Sequence, residues 1–205
     1  MGKLSSTELT LIERVGAEPD VAGSIQLLAR NEVPNKLIAR NEVGDEQRLG
    51  ISLGTEIDTS TGATSYDITG IPSGVRRISI NLVGVSWSGS SDVIFQIGDS
   101  GGIEVSGYLG CGWLSNTTNQ NQTDGFPVAV VGAAASLIHG RIVLELENQS
   151  AFTWTATIIT GFSNTGTVTV GAGSKSLSAE LSQLRFTTVG GANTGDAGGL
   201  NIQFT

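Results

Sequence analysis

From about Thr64 onward the apolar residues of this chain occupy alternate positions. Ile78, Ile80 and Leu82 alternate with Ser79 and Asn81, and Ile138, Gly140, Ile142, Leu144 and Leu146 alternate with His139, Arg141, Val143, Glu145 and Glu147. Phe152, Trp154, Ala156 and Ile158 share one parity, as do Leu200, Ile202 and Phe204. A period of two is the repeat of a strand that buries one face. Clusters of Gly, Ser, Asn and Asp interrupt the runs at short intervals and supply turns. The pattern predicts strands near residues 65–69, 76–85, 92–98, 103–109 and 137–147, then near 152–160, 166–170, 182–189 and 199–204. With no helical period in this region, the expected fold is all-β: an antiparallel two-sheet sandwich of jelly-roll type.

The first 50 residues read differently. They hold six of the eleven basic and eight of the nineteen acidic residues, so charge density falls sharply after Gly50. The expected organisation is an N-terminal arm, residues 1–50, and a sandwich domain, residues 51–205. "SSTE" at Ser5–Glu8 is a capping box ahead of Leu9, Ile12 and Val15, with Gly16 placed to stop a short helix. Helices below about 12–15 residues are marginal in water and need something to pack against. A ten-residue repeat follows, "LLARNEVPNK" then "LIARNEVGDE". Each copy opens on a strand-like apolar start and ends on a turn signal, Pro34-Asn35 or Gly44-Asp45. Leu9, Ile12, Val15, Leu27, Leu28, Leu37 and Ile38 are the candidate contact residues of this arm. They serve either a hairpin folded on the main domain or an arm that reaches another molecule.

Composition narrows the function. Glycine is frequent, 29 of 205 residues, charge is low at 15%, and the net charge is −8. Nucleic acid is excluded as a partner because phosphate binding wants a clustered basic surface. No stretch reaches the length of a membrane span, and no signal pattern opens the chain, so synthesis in the cytoplasm is expected. Cys111 is the single cysteine, which leaves no intrachain disulfide and no cysteine metal cluster. No cofactor fingerprint is present.

"GDSGG" at residues 98–102 satisfies the Gly-x-Ser-x-Gly pattern of serine hydrolases. The only histidine, His139, follows the serine, which excludes the His, Asp, Ser order of trypsin-like enzymes. Ser100, Asp124 and His139 do fall in the α/β-hydrolase order. That nucleophile, however, sits on a strand-to-helix turn, and the glycine-rich "GGIEVSGYLGCGW" continues as strand. The expectation is a turn in which Asp99 and Ser100 bond local amides and Gly98, Gly101 and Gly102 take positive φ. No catalytic residue and no metal ligand is assigned. Whether calcium binds near Asp196, in "GGANTGDAGG", stays open, because one carboxylate is far short of a calcium site.

"GCGWLSNTTNQNQTDGF" at 110–126 reads as an amide-rich loop headed by Trp113. An aromatic face beside amides can hold a sugar ring, which makes Trp113, Asn116, Asn119 and Asn121 candidate glycan contacts. The other reading has Trp113 capping the core. Trp87 and Trp154 are expected in the core or at an interface.

Two segments carry a resemblance: "IPSGVRRISINLVGVSWSGSSDVIFQIGDSGGIEVSGYLG" and "LSQLRFTTVGGANTGDAGGLNIQF". They resemble a β-sandwich domain recurrent in bacteriophage virion surface proteins, of tail-fibre and capsid-decoration type, over roughly residues 64–204. The resemblance implies a non-enzymatic structural protein on the virion surface, made in the host cytoplasm and homo-oligomeric, with a trimer favoured. Its partners would be other virion proteins, of capsid or tail, met through residues 1–50. An arm this short suits a decoration, cement or short appendage protein. The alternative is a tail-fibre-type receptor-binding module recognising a cell-surface glycan.

Overall fold

The computed structural model describes residues 56–115, 119–130 and 133–205, together with the backbone of four short strands between residues 26 and 53. The chain divides into two compact units, Met1–Ile51 and Ser52–Thr205.

In the first unit, β1 (Gln26–Arg30), β2 (Lys36–Arg40) and β3 (Glu46–Leu49) form an antiparallel sheet in that order. The repeat explains the regularity, since the Ala-Arg of each copy closes a strand at Arg30 and at Arg40. The register sets Leu28 opposite Ile38, Ala29 opposite Leu37 and Leu27 opposite Ala39. Leu27, Leu28, Leu37 and Ile38 therefore belong to paired strands. The helix expected after Ser5, with Leu9, Ile12 and Val15, lies outside the described residues.

The second unit is an all-β sandwich. In chain order its strands begin with β4 (Ser52–Leu53), β5 (Ile57–Asp58), β6 (Ser65–Thr69), β7 (Arg77–Trp87) and β8 (Val93–Asp99). Then come β9 (Gly102–Ile103), β10 (Leu109–Leu114), β11 (Asn119–Gln122), β12 (Phe126–Ala129) and β13 (Ile138–Asn148). The last are β14 (Thr153–Phe162), β15 (Thr167–Ser176), β16 (Gln183–Thr188) and β17 (Gly195–Phe204). A large sheet runs β11-β10-β15-β14-β13-β7-β17-β4, with β5 also on β17. A small sheet runs β12-β8-β16-β6, with β9 on β8. Every ladder is antiparallel. The chain crosses repeatedly from one sheet to the other, as in a jelly roll, and keeps β13, β14 and β15 as a meander within the large sheet.

The alternating residues close the core between the sheets. Ile78, Ile80, Ile142, Leu144, Ile158 and Ile202 face Phe95, Ile97, Leu184 and Phe186, all buried. At one side the Trp87 ring lies 5.8 Å from Tyr66 and 5.5 Å from Phe186, centroid to centroid. Trp87 and Trp154 are both buried, as expected.

Three sequence expectations need correction. The strand expected over 103–109 is limited to β9, because the chain turns so that Tyr108 plugs the sheet edge. The Tyr108 hydroxyl accepts from the Ile97 amide at 2.7 Å and has the Glu104 and Ile97 carbonyls within reach at 2.9 and 3.2 Å. Burial pushes its ionisation well above the usual phenol range. The expected loop over 110–126 is instead β10, β11 and the start of β12. The last strand starts at Gly195 rather than near 199, because Gly195–Gly199 pairs with β7 through two register shifts. Asp196 therefore sits on a strand, exposed.

Candidate functional site

The corner at 98–102 owes its structure to Asp99 rather than Ser100. β8 and β9 pair Asp99 with Gly102 and Gly98 with Ile103, leaving Ser100 and Gly101 as the exposed tip. Of the three glycines only Gly102 has positive φ, +124°. Gly98 is glycine for space: a Cβ there would run into the Gly102 carbonyl and lie 2.7 Å from Ile103 Cα. The buried Asp99 carboxylate accepts from the Gly101 amide at 2.8 Å, from the Ser178 hydroxyl and amide at 2.7 and 3.1 Å, and from the Ala179 amide at 2.9 Å. The Ser178 hydroxyl and then the Gly101 amide hold Asp99 ionised below the usual carboxylate range. The motif is a clasp between the β8–β9 corner and the segment before β16.

His139 lies on β13 of the large sheet, where Nδ1 accepts the Gly84 amide at 3.2 Å beside a bulge. Asp124 lies in the turn between β11 and β12, its carbonyl accepting Gln96 Nε2 at 2.6 Å. Ser100, Asp124 and His139 thus belong to three separate elements. Asp124 lines a groove of about 370 Å³ on the flank of the small sheet, with Ser65, Gln96, Val105, Arg185 and Thr187. There Arg185 is held bidentately by Asp67 at 2.6 and 2.7 Å.

The feature with most surface chemistry is the half of the large sheet made by β11, β10, β15 and β14. Four inward positions of β10 and β15 are glycines, with Leu114 and Thr169 following inward, and the register pairs Gly110 with Gly173 and Gly112 with Gly171. β12 of the small sheet lies on this track. A Cβ on Gly112 would sit 3.0 Å from Pro127 Cβ, and one on Gly171 would sit 2.8 Å from the Pro127 carbonyl oxygen. Thr160 Oγ1 fastens the layers by donating to the Val128 carbonyl at 2.6 Å.

Strand alternation then sends the large side chains outward. Leu109, Trp113, Val168, Val170 and Ile159 are exposed, from 42% at Val168 to 77% at Leu109. One cross-strand row reads Asn119, Trp113, Val170, Ile159, Arg141, Asn81 and Asn201. The next outward row reads Asn121, Cys111, Ala172, Thr157, Val143 and Ser79. Among the described residues, the outward positions of these four strands carry no charge. Charge begins at β13, where Arg141 Nη2 donates to Ser79 Oγ at 2.9 Å and Glu145 faces Arg77 at 3.6 Å.

The hairpin brings Trp113, Asn119 and Asn121 together on one open face, while Asn116 lies outside the described residues. Trp113 points away from the core and does not cap it. Sequence reading missed Val168, Val170 and Ile159 as part of this face. The signal was present: Gly-x-Gly at 110/112 and again at 171/173 marks an inner face without side chains. No family model, curated protein or solved structure matches the chain, so the surface is read from its own geometry.

Proposed function

We propose that this chain is a non-enzymatic structural component of a bacteriophage particle, a capsid decoration or short surface appendage that attaches through residues 1–50 and associates with its own copies, as a trimer. The supporting observation is the uncharged outer face of β11, β10, β15 and β14, where an exposed apolar row replaces the polar exterior that a solvated sheet carries. The segmented build fits the same role, since a single three-stranded sheet of short strands needs a second layer to be stable. Removal of residues 2–50 tests the reading. The truncated protein should stay soluble and folded yet fail to join particles, and normal incorporation would overturn attachment through the arm.

A second reading is a receptor-binding module for a cell-surface glycan. It is favoured by the single-face grouping of Trp113, Asn119 and Asn121, an aromatic ring beside amide donors and acceptors. Adsorption to host cells with Trp113→Ala separates the two. Lost adsorption with intact assembly supports recognition, and unchanged adsorption removes it.

A further inference from the structure

The groove of about 370 Å³ on the flank of the small sheet has the outward residues of β8, β16 and β6 for its floor. The register makes Gln96 and Arg185 neighbours in one cross-strand row and Ile94, Thr187 and Ser65 neighbours in the next. The turn carrying Asp124 and the exposed Val105 stand on the β8 side, and Thr64 stands on the β6 side.

The groups deepest in the groove are spent on its own walls. Gln96, buried, donates from Nε2 to the Asp124 carbonyl at 2.6 Å, and Thr187 Oγ1 donates to the Thr64 carbonyl at 2.8 Å. Asp67 takes Arg185 Nε and Nη2 at 2.6 and 2.7 Å, an edge-on pairing that directs Nη1 away from Asp67. Three groups are left over. The Asp124 carboxylate, the Ser65 hydroxyl and Arg185 Nη1 have no hydrogen-bond partner among the described residues. All three belong to residues that keep solvent-facing surface: Asp124 and Ser65 are half-buried, and the Arg185 side chain is 32% exposed. Val105, 57% exposed, adds an apolar wall.

Charge then selects the ligand class. Asp67 neutralises Arg185, so Asp124 leaves the groove with net negative charge, and an anionic ligand would be repelled. A cation would suit Asp124 but would bring like charge to Arg185 and no acceptor for Nη1. An extended peptide binds by adding to a sheet edge. β8 and β16 are paired on both sides, so no free main-chain ladder lies under the groove. A neutral ring with neighbouring hydroxyls donates to Asp124, accepts from Nη1, does either with Ser65, and lays its C–H face on Val105. The volume, at the low end for small-molecule sites, is enough for such a ring.

We infer that this groove binds a neutral saccharide ring through Asp124, Ser65 and Arg185 Nη1, with Val105 against the ring. The site lies on the other sheet from Trp113 and is independent of both readings above.

Side-chain resonances of the full-length ¹⁵N-labelled chain test the site. Arg185 Nε–H and the Gln96 amide report on the groove, and the Trp113 indole reports on the outer face. Titration with glucose, galactose and mannose should move the Arg185 and Gln96 signals saturably for at least one sugar, with Trp113 stationary. Asp124→Ala keeps the carbonyl that Gln96 uses, so the Gln96 signal also shows that the turn stays in place. This variant should bind that sugar roughly tenfold more weakly, the loss of one charge-assisted hydrogen bond. Ser65→Ala should weaken binding by a smaller factor. Stationary groove signals with all three sugars would overturn the site, as would binding that survives Asp124→Ala unchanged. A stronger response to glucuronate or to methylammonium would overturn the neutral-saccharide assignment in favour of an anion or a cation. Movement of Trp113 alone sinks this inference and leaves the second reading standing, whereas movement of Arg185 and Gln96 alone does the reverse.

Discussion

In β13, β7 and β17 the inward positions carry Ile142, Leu144, Ile78, Ile80, Leu200 and Ile202, and the outward ones are mostly polar, Arg141, Glu145, Asn81, Asn201 and Gln203, with Val143 and the exposed Val83 among them. In β10 and β15 the inward positions include the run Gly110, Gly112, Gly171 and Gly173, with buried Leu114 and Thr169 beyond it, and the outward ones include Leu109, Trp113, Val168 and Val170. One sheet thus has two halves that distribute their apolar residues differently. The difference follows from what lies across the core. Opposite the glycines, β12 presses its own Phe126 and Pro127 onto the sheet and fills the interior from the other side. Along the glycine run, large side chains in β10 and β15 can then only face out, and Leu114 turns inward past its end. Burial is the reason for the apolar residues in one half, and contact with another molecule is the reason proposed for those in the other.

Core truncation should show the largest effect. Ile142→Ala removes a fully buried side chain from the conventional half and should cost about 2–5 kcal/mol in urea unfolding. A loss below about 1 kcal/mol would mean that this half is not the packed one. The glycine half should respond in the opposite sense, by overfilling. Gly→Ala within a strand ordinarily gains about 0.5–1 kcal/mol. At Gly173 the new Cβ would meet Gly110 Cα and the Leu109 carbonyl at 2.9 Å, both backbone and unable to swing away. Gly173→Ala should therefore cost about 1–3 kcal/mol, and a neutral or stabilising result would sink the packed track.

These halves differed in how readily the sequence disclosed them. Alternation of Ile with Ser or Asn states its own buried face, so β7, β13, β14 and the end of β17 were legible to within a few residues. β10, β11 and β12 were not, because glycine at inward positions erases the hydrophobic signal on which a period-two reading depends. The long strand β8 is buried at every position, which also hides its facing. Within the candidate site, Trp113, Asn119 and Asn121 could be named from composition. Their union with Val170 and Ile159 required the β10–β15–β14 register, a pairing between segments more than forty residues apart. At residues 98–102 the corner was legible as a turn, but the role of Asp99 was not, since its partners Ser178 and Ala179 lie far along the chain.

Asp99 gives a mid-sized effect that should leave both halves equally placed, because the clasp joins the small sheet to the segment after β15. Its folded-state pKa lies below the unfolded value near 3.9, so its stabilisation is present above that value and is lost as pH falls through the folded one. Asp99→Asn should cost about 1 kcal/mol at neutral pH and flatten the fall in stability measured between pH 5 and pH 2. An unchanged acid limb would mean that the carboxylate is not the acceptor of those amides. Ser100→Ala, at the exposed tip, should stay within about 0.5 kcal/mol of the parent.

The smallest expected change in stability belongs to the outer face, and it separates the two halves most cleanly. Trp113 and Val170 are both 45% exposed and neighbours across β10 and β15. Replacing them with Ser and Thr should shift the unfolding midpoint by no more than about 0.5 kcal/mol per site. Strand spacings near 4.8 Å and a rise near 3.4 Å per residue give the outer face of these four strands a projected area on the order of 500 Å². A stable interface buries about 800 Å² on each partner, so this face alone supports only weak self-association. On the proposed reading, residues 1–50 supply the remainder. Sedimentation should accordingly find the full chain oligomeric and the 52–205 sandwich mostly monomeric at micromolar concentration, and the Trp113→Ser/Val170→Thr chain shifted toward smaller species without loss of fold. If the double variant assembles and adsorbs like the parent, the apolar exterior of β10 and β15 has no partner, and the inversion is then only a by-product of the glycine track.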